Sequence, residues 1–250
     1  MGIFDGKVAI VTGAARGLGR DYARFFLQDG ASVVMADIQG DTVEQSAREL
    51  QSSSGNVLAI SVDITSPTST KNMAAQAAQT FGHVDILVNN AAIWGDLRQI
   101  SLLEIEPDYW DAVLDVNLKG ALLCSQAVIP FMRQQNWGRI VNISSAGAYK
   151  PGSVYSVSKL ALNQLTYSLA QQVADDGITC NAIAPGPIAT EATQSQYTPE
   201  TLERIVQQGM IKRAGTSKDL YGALRYLCSD DAAWVTAQIL HVNGGALSRL

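Results

Sequence analysis

The 250-residue chain has few of the residues from which metal and disulfide sites are built. His83 and His241 are its two histidines, and they stand far apart, so neither a zinc site nor a serine–histidine triad is indicated. Its three cysteines, Cys124, Cys180 and Cys228, are odd in number, widely spaced and embedded in apolar sequence. We therefore interpret them as small hydrophobic residues of the core and predict no metal site.

Positive charge and long apolar runs are also scarce. The formal net charge is −5, and the lysines and arginines are scattered, which argues against a nucleic-acid-binding surface. We find no apolar run that predicts a membrane span, and the N-terminus lacks the charged and apolar regions of a signal peptide. We expect a cytoplasmic protein that binds neither nucleic acid nor a membrane.

What is present is a regular alternation of short apolar, β-branched runs with longer amphipathic stretches. Continuously apolar strands are typical of a sheet covered on both faces, and their alternation with helices predicts parallel strands joined by right-handed crossovers. The predicted fold is therefore α/β: a single domain, residues 1–250, with a doubly wound parallel sheet of about seven strands and helices on both faces. The predicted strands are Val8–Thr12, Ala31–Asp37, Val57–Asp63, Asp85–Asn89, Arg139–Ser144, Ile178–Ala184 and Gln238–Val242.

A glycine-rich turn lies between the first strand and the first amphipathic helix, over residues 12–19 (TGAARGLG). Its glycines, Gly13, Gly17 and Gly19, allow the backbone to approach a pyrophosphate, and the helix N-terminus behind them supplies free N–H donors. Strand, glycines and helix occur in the required order, so we predict a dinucleotide site that includes Arg16 and Leu18 of the same turn.

Two charged residues point to different dinucleotides. Asp37 ends the second strand, where a carboxylate can accept hydrogen bonds from a ribose diol and repels a 2′-phosphate. Arg16 is placed to pair with such a phosphate, although it can also contact the pyrophosphate of NAD or stay solvated. We favour Asp37 and predict NAD, with NADP the less favoured cofactor.

Two further strand ends are candidate cofactor contacts. Asp63 and Ile64 can flank an adenine, and the equally weighted alternative is a helix N-cap region. Asn90 and Ala91, within Asn89-Asn90-Ala91-Ala92, suit close backbone approach to a ribose, and an ordinary asparagine turn is the alternative.

Tyr155 and Lys159 are four residues apart, a spacing that puts a phenol and an ammonium on one helical face. A tyrosine that works as acid and base near neutral pH needs its pKa lowered by about three units, to which Lys159 and an oxidised nicotinamide can contribute. Tyrosine and lysine share this spacing on many helices, where the lysine is merely solvated beside a packed ring.

These motifs occur together in one order: the glycine turn, Asn-Asn-Ala-Ala, Asn117, the pair Ser144-Ser145, and Tyr155-x-x-x-Lys159. In this combination the chain resembles the short-chain dehydrogenase/reductase family over its whole length, to the terminal Val242-Asn243-Gly244-Gly245. The resemblance implies a Rossmann fold, an NAD- or NADP-dependent enzyme acting on CH–OH groups, and a homotetramer or homodimer. Its glycine spacing is unlike that of the branch that modifies sugar nucleotides.

The resemblance also implies roles for four residues. Tyr155 exchanges the proton of the reacting oxygen, Lys159 lowers the phenol's pKa and holds the nicotinamide ribose, and Asn117 connects Lys159 to solvent through a water. The catalytic hydroxyl corresponds to the second serine, Ser145, with Ser144 as the alternative, because nine residues separate Ser145 from Tyr155, fewer than is common in the family.

Residues after the sixth strand are expected to clasp the cofactor and cover the substrate. By resemblance, the backbone of Ile188 contacts the carboxamide and Thr190 contacts the carboxamide or the pyrophosphate, and Pro185 and Gly186 belong to the same turn. The poorly patterned stretch of about 186–210 is predicted to be a mobile substrate lid. Four large side chains are candidates for an apolar pocket wall, although such side chains in loops more often pack against the domain itself: Trp94, Tyr149, Tyr197 and Met210.

We weigh three functions. The first is an NAD-dependent alcohol dehydrogenase or ketone reductase for a moderately apolar secondary alcohol, such as a cyclic, aromatic or steroid-like one. The second is a 3-oxoacyl-thioester reductase of the same fold. Such enzymes usually prefer NADP and need a basic patch for a carrier protein, so Asp37 and the net negative charge argue against it. The third, of another class, is a catalytically silent nucleotide-binding regulator, which has no chemical need for a tuned phenol.

Overall fold

The structure is a computed structural model that describes residues 2–51 and 56–246. Met1, residues 52–55 and residues 247–250 belong to the predicted domain span and lie outside the described residues. The seven predicted strands are all present, with ends within two residues of those predicted. They are β1 (Val8–Thr12), β2 (Ser32–Asp37), β3 (Val57–Ser61), β4 (Ile86–Asn89), β5 (Gly138–Ile143), β6 (Ile178–Pro185) and β7 (Ile239–Val242).

All seven strands form one parallel sheet in the order β3-β2-β1-β4-β5-β6-β7. After β3 the chain crosses to the other side of β1, so the order of the strands reverses between β1 and β4. A ligand cleft is expected outside the carboxyl ends of the strands at this position.

Helices cover both faces of the sheet, as the apolar strands predict. Buried side chains of β1 and β2 pack with those of α1, α2 and α9 on one face, and α3, α5 and α6 complete a second apolar core on the other. The helices are α1 (Gly17–Gln28), α2 (Gly40–Gln51), α3 (Pro67–Phe81), α4 (Pro107–Leu114), α5 (Gly120–Gln135), α6 (Val154–Val173), α7 (Glu191–Gln196), α8 (Pro199–Gln207) and α9 (Ser217–Cys228).

The cysteines lie where the sequence predicts. Cys124, Cys180 and Cys228 are free and buried. Burial raises the pKa of the Cys124 and Cys180 thiols to about 12, so both are neutral at physiological pH. Their interpretation as small hydrophobic residues is confirmed.

One helix corrects the expectation about apolar runs. The segment Asp115–Lys119 is a π-helical turn that joins α4 to α5, and the resulting 29-residue helix Pro107–Gln135 is long and apolar enough to cross a membrane. Half of its apolar window is buried inside the protein, with Cys124, Val128 and Met132 in the core. Buried core helices can have the same length and apolar composition, so the absence of membrane binding stays a prediction.

The stretch after β6 is more ordered than its sequence pattern indicates. Helices α7 and α8 lie within the predicted lid, each begun by a threonine side chain that accepts a hydrogen bond from the first turn. The mobility of this segment is a prediction that the fold does not test.

Candidate functional site

A cleft of about 1120 Å³ opens at the carboxyl edge of the sheet, beside the reversal of strand order. It extends from Gly13 and Asp37 at one end to Tyr155 and Tyr197 at the other. Among the predicted site residues, Gly19 and Asn117 do not line its wall. Those that do are Gly13, Arg16, Gly17, Leu18, Asp37, Asp63, Ile64, Asn90, Ala91, Ser145, Tyr155, Lys159, Pro185, Gly186, Ile188 and Thr190.

The glycine turn has the backbone conformation that its glycines permit. Gly13 and Gly17 have φ of +66° and +58°, in the left-handed region that disfavours residues with a Cβ. The missing Cβ of Gly17 faces open space, whereas a Cβ on Gly19 would collide with the carbonyl of Gly13. Gly17 therefore leaves room for a ligand, and Gly19 instead allows helix and turn to pack closely.

Helix α1 begins without a side-chain cap. Its N-cap residue, Arg16, accepts no hydrogen bond through its side chain, whereas Ser66, Thr190, Thr198 and Thr216 cap α3, α7, α8 and α9. The first N–H groups of α1 are thus left to a ligand at the edge of the cleft, where the partial positive charge of the helix favours an anion.

Asn90 shapes the turn from the neighbouring strand. Its side-chain amide donates to the carbonyls of Thr12 (2.9 Å) and Gly13 (3.2 Å). The Thr12 hydroxyl in turn accepts from the backbone N–H groups of Asn90 and Ala91. Sequence reasoning missed this role of Thr12, although a hydroxyl residue at the end of a strand, beside the first glycine, was an available signal.

Asp37 is held rigidly at the nucleotide end of the cleft. One carboxylate oxygen accepts from the Ala15 N–H and the other from the Gln39 N–H, both at 3.0 Å, and the residue is 9% exposed. Arg16 is exposed on the same wall. The two residues that point to different dinucleotides are therefore both in reach of the cleft, one fixed and one at the surface.

Asp63 forms a turn next to the helix N-terminus, as the alternative interpretation predicts, and the adenine contact of Asp63 and Ile64 stays a prediction. The Asp63 carboxylate accepts from the N–H and hydroxyl of Thr65, which makes a turn ahead of α3, but the N-cap itself is Ser66. Ile64 is buried against Gly120 of α5 and also lines the cleft. Both residues remain available to an adenine ring.

At the other end of the cleft, Tyr155 and Lys159 lie on the first turns of α6. The Lys159 ammonium is 5.6 Å from the centroid of the Tyr155 ring and donates to the Ile143 carbonyl at 2.8 Å. Lys159 is 2% exposed. A buried lysine held by the end of β5 places a positive charge beside the phenol.

The pKa of the phenol differs from the sequence expectation. Burial raises the pKa of Tyr155 above its ordinary value of 10, and a hydrogen bond with Ser145 lowers it by less. Burial also lowers the pKa of Lys159 to about 8, so most of its ammonium stays charged at pH 7. The protein alone therefore does not depress the phenol's pKa, and a further positive charge is needed for the predicted depression.

The two serines at the end of β5 face different ways. The Ser145 hydroxyl accepts from the Gly147 N–H at 3.0 Å and lies close enough to the Tyr155 phenol to lower its pKa. Ser144 is 2% exposed, and its hydroxyl donates to the backbone carbonyl of Lys159 at 3.4 Å. The structure brings Ser145, rather than Ser144, to the phenol.

Asn117 sits in the π-helical turn and holds the surroundings of Tyr155. Its amide oxygen accepts from the Ile93 N–H at 2.8 Å, and its nitrogen donates to Ser158 at 3.1 Å. The Ser158 hydroxyl donates to the Tyr155 carbonyl at 2.7 Å. Sequence reasoning missed Ser158, whose position three residues after Tyr155 on one helical face was the signal.

Two of the four candidate wall residues reach the phenol. The Trp94 ring lies 4.6 Å from that of Tyr155 and 6.0 Å from that of Tyr197, and both line the cleft. Tyr149 instead stacks on His241 at 4.8 Å, and Met210 is exposed outside the cleft. Tyr149 therefore packs against the domain, as the alternative predicts, whereas the exposed Met210 neither lines the cleft nor packs inside the protein.

The turn after β6 lines the cleft between its two ends. Gly186 is packed so closely on Asn243 that a Cβ would come within 2.7 Å of its backbone, and Ile188 pairs with Gly215 in a short bridge. The Thr190 hydroxyl accepts from the Thr193 N–H and caps α7. These contacts fix the backbone that was predicted to clasp the cofactor.

Comparison with known proteins agrees with this geometry. A family model described as "Enoyl-(Acyl carrier protein) reductase" matches residues 13–246. An uncharacterized oxidoreductase of Mycobacterium tuberculosis is 42% identical over 99% of this chain and 100% of its own length.

Two relatives with named activities and one crystal structure also match. The 3-oxoacyl-[acyl-carrier-protein] reductase of Thermotoga maritima is 34% identical over 96% of this chain and 98% of its own. The 7α-hydroxysteroid dehydrogenase of Bacteroides fragilis is 33% identical over 98% and 96%. A crystal structure provisionally assigned to a short-chain alcohol dehydrogenase of Sinorhizobium meliloti 1021 superposes with a TM-score of 0.92, at 31% identity over 99% of this chain and 100% of its own.

Proposed function

The chain belongs to the short-chain dehydrogenase/reductase family of oxidoreductases, and from this premise we propose that it is an NAD-dependent dehydrogenase or reductase of a moderately apolar secondary alcohol or ketone. The observation that carries the proposal is the convergence of Tyr155, Ser145 and Lys159 at one end of a cleft. The other end is formed by the glycine turn and Asp37.

The described residues fit a nicotinamide dinucleotide. The uncapped N-terminus of α1 and the open space over Gly17 suit a pyrophosphate, and Asp37 suits a ribose diol. Lys159, Ile188 and Thr190 would hold the nicotinamide half. When bound, the cofactor supplies or accepts the hydride.

The chain's own residues handle the proton. Tyr155 exchanges it with the substrate oxygen, and Ser145, which lies beside the phenol, donates to the same oxygen and stabilises its developing charge. The Lys159 ammonium favours the phenolate. Asn117 and Ser158 hold the backbone of this site, which supports a positioning role for Asn117 beside its predicted part in proton relay.

NAD is favoured because the Asp37 carboxylate cannot swing away from a 2′-phosphate. Both of its oxygens are tied to backbone N–H groups, so a dianion at the ribose would meet a fixed negative charge. Arg16 is exposed and can contact the pyrophosphate of either dinucleotide. A catalytic efficiency tenfold better with NADP than with NAD overturns this part of the proposal.

The apolar substrate class is supported by the aromatic wall. Trp94 and Tyr197 line the cleft next to Tyr155, and Ile93, Leu97 and Ile205 extend the apolar lining. Flat or cyclic substrates gain most from such walls. A panel of secondary alcohols and ketones, followed by the absorbance of reduced nicotinamide with both cofactors in parallel, tests the proposal, and turnover of none refutes it.

A 3-oxoacyl thioester is the second candidate substrate. The Thermotoga maritima relative favours it, and the family model's description likewise names a reductase of a carrier-bound acyl group, although of an enoyl one. The overall charge of −5 of this chain disfavours binding of an acidic carrier protein. Adding an acetoacetyl thioester to the same panel separates the two. A silent regulator is disfavoured because Tyr155, Ser145 and Lys159 are brought together.

We also propose that the protein is a homo-oligomer, a tetramer or dimer. The outer edge of β7 has no partner strand among the described residues, and Trp234 and Leu240 are exposed near it. Val157, Leu160 and Tyr167 are exposed on α6. Light scattering during size-exclusion chromatography should give a multiple of 26.7 kDa, and a mass of 26.7 kDa refutes the proposal.

A further inference from the structure

Helix α7 is fastened to the loop that follows β4 by the last two residues of the helix. The Ser195 hydroxyl and the Gln196 amide both donate to the Gly95 carbonyl, at 2.9 and 2.7 Å. Gln196 also donates to the Leu97 carbonyl at 3.2 Å and accepts from the Gln99 side chain at 3.0 Å. One side chain thus joins two segments about a hundred residues apart in the chain.

Gly95 directly follows Trp94, the residue whose ring lies against Tyr155. A bond to the Gly95 carbonyl therefore restrains the backbone that carries the indole. On the other side, Tyr197 follows Gln196 directly and contacts the same indole. The hydrogen bonds of Gln196 and the two aromatic contacts of Trp94 therefore hold the same short stretch of backbone and the same indole ring.

Helix α7 cannot hold its position by itself. It has six residues, far fewer than an isolated helix needs to be stable in water. Its placement depends on contacts with the rest of the protein, and the bonds to Gly95 and Leu97 are direct, neutral hydrogen bonds to backbone carbonyls.

We propose that Gln196 is a positioning residue that couples the docking of α7 to the placement of Trp94 against Tyr155. Through this coupling Gln196 sets the room left for a substrate beside the phenol. The kinetic part of the test rests on the proposed function, whereas the spectroscopic part does not.

The kinetic test compares Gln196→Glu with Gln194→Glu. Glutamate is nearly isosteric and can still accept from Gln99, but it cannot donate to Gly95 or Leu97. Gln194 is exposed on the same helix, so its variant adds the same charge to α7. For an alcohol or ketone found in the panel, KM should rise about tenfold in Gln196→Glu, with the cofactor Kd within about twofold of the parent. Equal KM values in the two variants overturn the proposal.

The spectroscopic test follows Trp94 and needs no substrate. Release of the indole from Tyr155 into water should shift tryptophan emission of Gln196→Glu to longer wavelength. Trp110 packs in the same apolar cluster as Trp94, so both measurements are made in a Trp110→Phe background. There the shift should vanish when Gln196→Glu is combined with Trp94→Phe, because Trp137 packs against a different core cluster and Trp234 is exposed. A shift that persists in the combined variant, or no shift in the single one, refutes the coupling even if the panel finds no substrate.

A second variant keeps the test valid if Gln196→Glu fails to fold. Ser195→Ala removes one of the two donors to Gly95, a hydroxyl that shares its one proton with the Ala192 carbonyl, and adds no charge. It should give an emission shift of the same direction and a smaller rise in KM. Parent-like emission and KM in Ser195→Ala, when Gln196→Glu cannot be measured, count against the proposal.

Discussion

The two ends of the cleft are built from different parts of the chain. At the nucleotide end the site is formed mainly by the backbone. Gly13 and Gly17 have positive φ angles, α1 begins without a side-chain cap, and the Asp37 carboxylate accepts from backbone N–H groups. At the reactive end side chains converge: Lys159 donates to the Ile143 carbonyl, Ser145 accepts from the Gly147 N–H, and the backbone of Tyr155 is held by Ser158. Substitutions should therefore alter binding at one end and chemistry at the other.

The largest effect should come from Tyr155→Phe. Removal of the hydroxyl deletes the proton donor and little packing, so kcat should fall by about a thousandfold or more while cofactor affinity stays near that of the parent. Steady-state kinetics and a cofactor titration measure the two quantities. Tyr167→Phe, which removes an exposed hydroxyl from the same helix, should leave both unchanged. Normal turnover of Tyr155→Phe would contradict the assigned role.

Lys159→Met should also abolish turnover but stabilise the fold at pH 7. Burial lowers the pKa of Lys159 from 10.5 to about 8, a difference that corresponds to roughly 3 kcal/mol. The folded protein holds this proton more weakly than the unfolded chain, so its free energy of unfolding rises between about pH 8 and 10.5. Below pH 8 the full penalty is present, and the variant escapes it. The lost charged hydrogen bond to Ile143 offsets this gain by about 1.5–3 kcal/mol, so the net stabilisation at pH 7 should be small.

Denaturant titrations at pH 7 and near pH 10 measure this stability difference. The advantage of Lys159→Met over the parent should shrink at the higher pH, where the lysine of the folded parent is neutral. An advantage of equal size at both pH values would show that the charge of Lys159 is not its cause.

Gly17→Ala tests the nucleotide end. A Cβ at φ +58° strains the backbone by about 1 kcal/mol and enters the open space of the cleft, so the cofactor Kd should rise about tenfold or more. Gly222→Ala is the matched control, because its Cβ meets open space within α9, where alanine should stabilise the helix. If Gly17→Ala instead lowers kcat and leaves the cofactor Kd unchanged, the division between the two ends is wrong.

The smallest effect should come from Ala237→Gly, which lies at neither end. Ala237 has φ of +57°, and glycine adopts this conformation without strain. The free energy of unfolding should increase by roughly 0.5 kcal/mol, after the greater flexibility of the unfolded chain is allowed for. Ala233→Gly, at φ −58°, should instead destabilise the protein. Urea titrations distinguish the two, and turnover should be unchanged in both.

The strands were predictable because continuous apolar runs have one stable location, inside a sheet covered on both faces. The lid helices were not. Helix α7 is short, and its anchor, the Gly95 carbonyl, is distant in sequence. Trp94 and Tyr197 illustrate the same limit. Their residue types fit either a pocket wall or ordinary packing, and only the fold brings both to the wall of the cleft.

At the reactive end, residue identity and helical spacing predicted that Tyr155 and Lys159 meet. They did not predict that the loss of solvation of the phenol outweighs the nearby positive charge. As a result, burial raises the pKa of Tyr155. Nor could spacing predict that Ser145 rather than Ser144 turns to the phenol, because that depends on the path of the chain after β5.

The π-helical turn Asp115–Lys119 has a consequence for comparing this chain with its relatives. A wider turn accommodates an extra residue and offsets the angular phase of α5 from that of α4. An alignment of this helix needs a one-residue gap wherever a relative lacks the wide turn, and a gapless alignment would misassign the faces of one half.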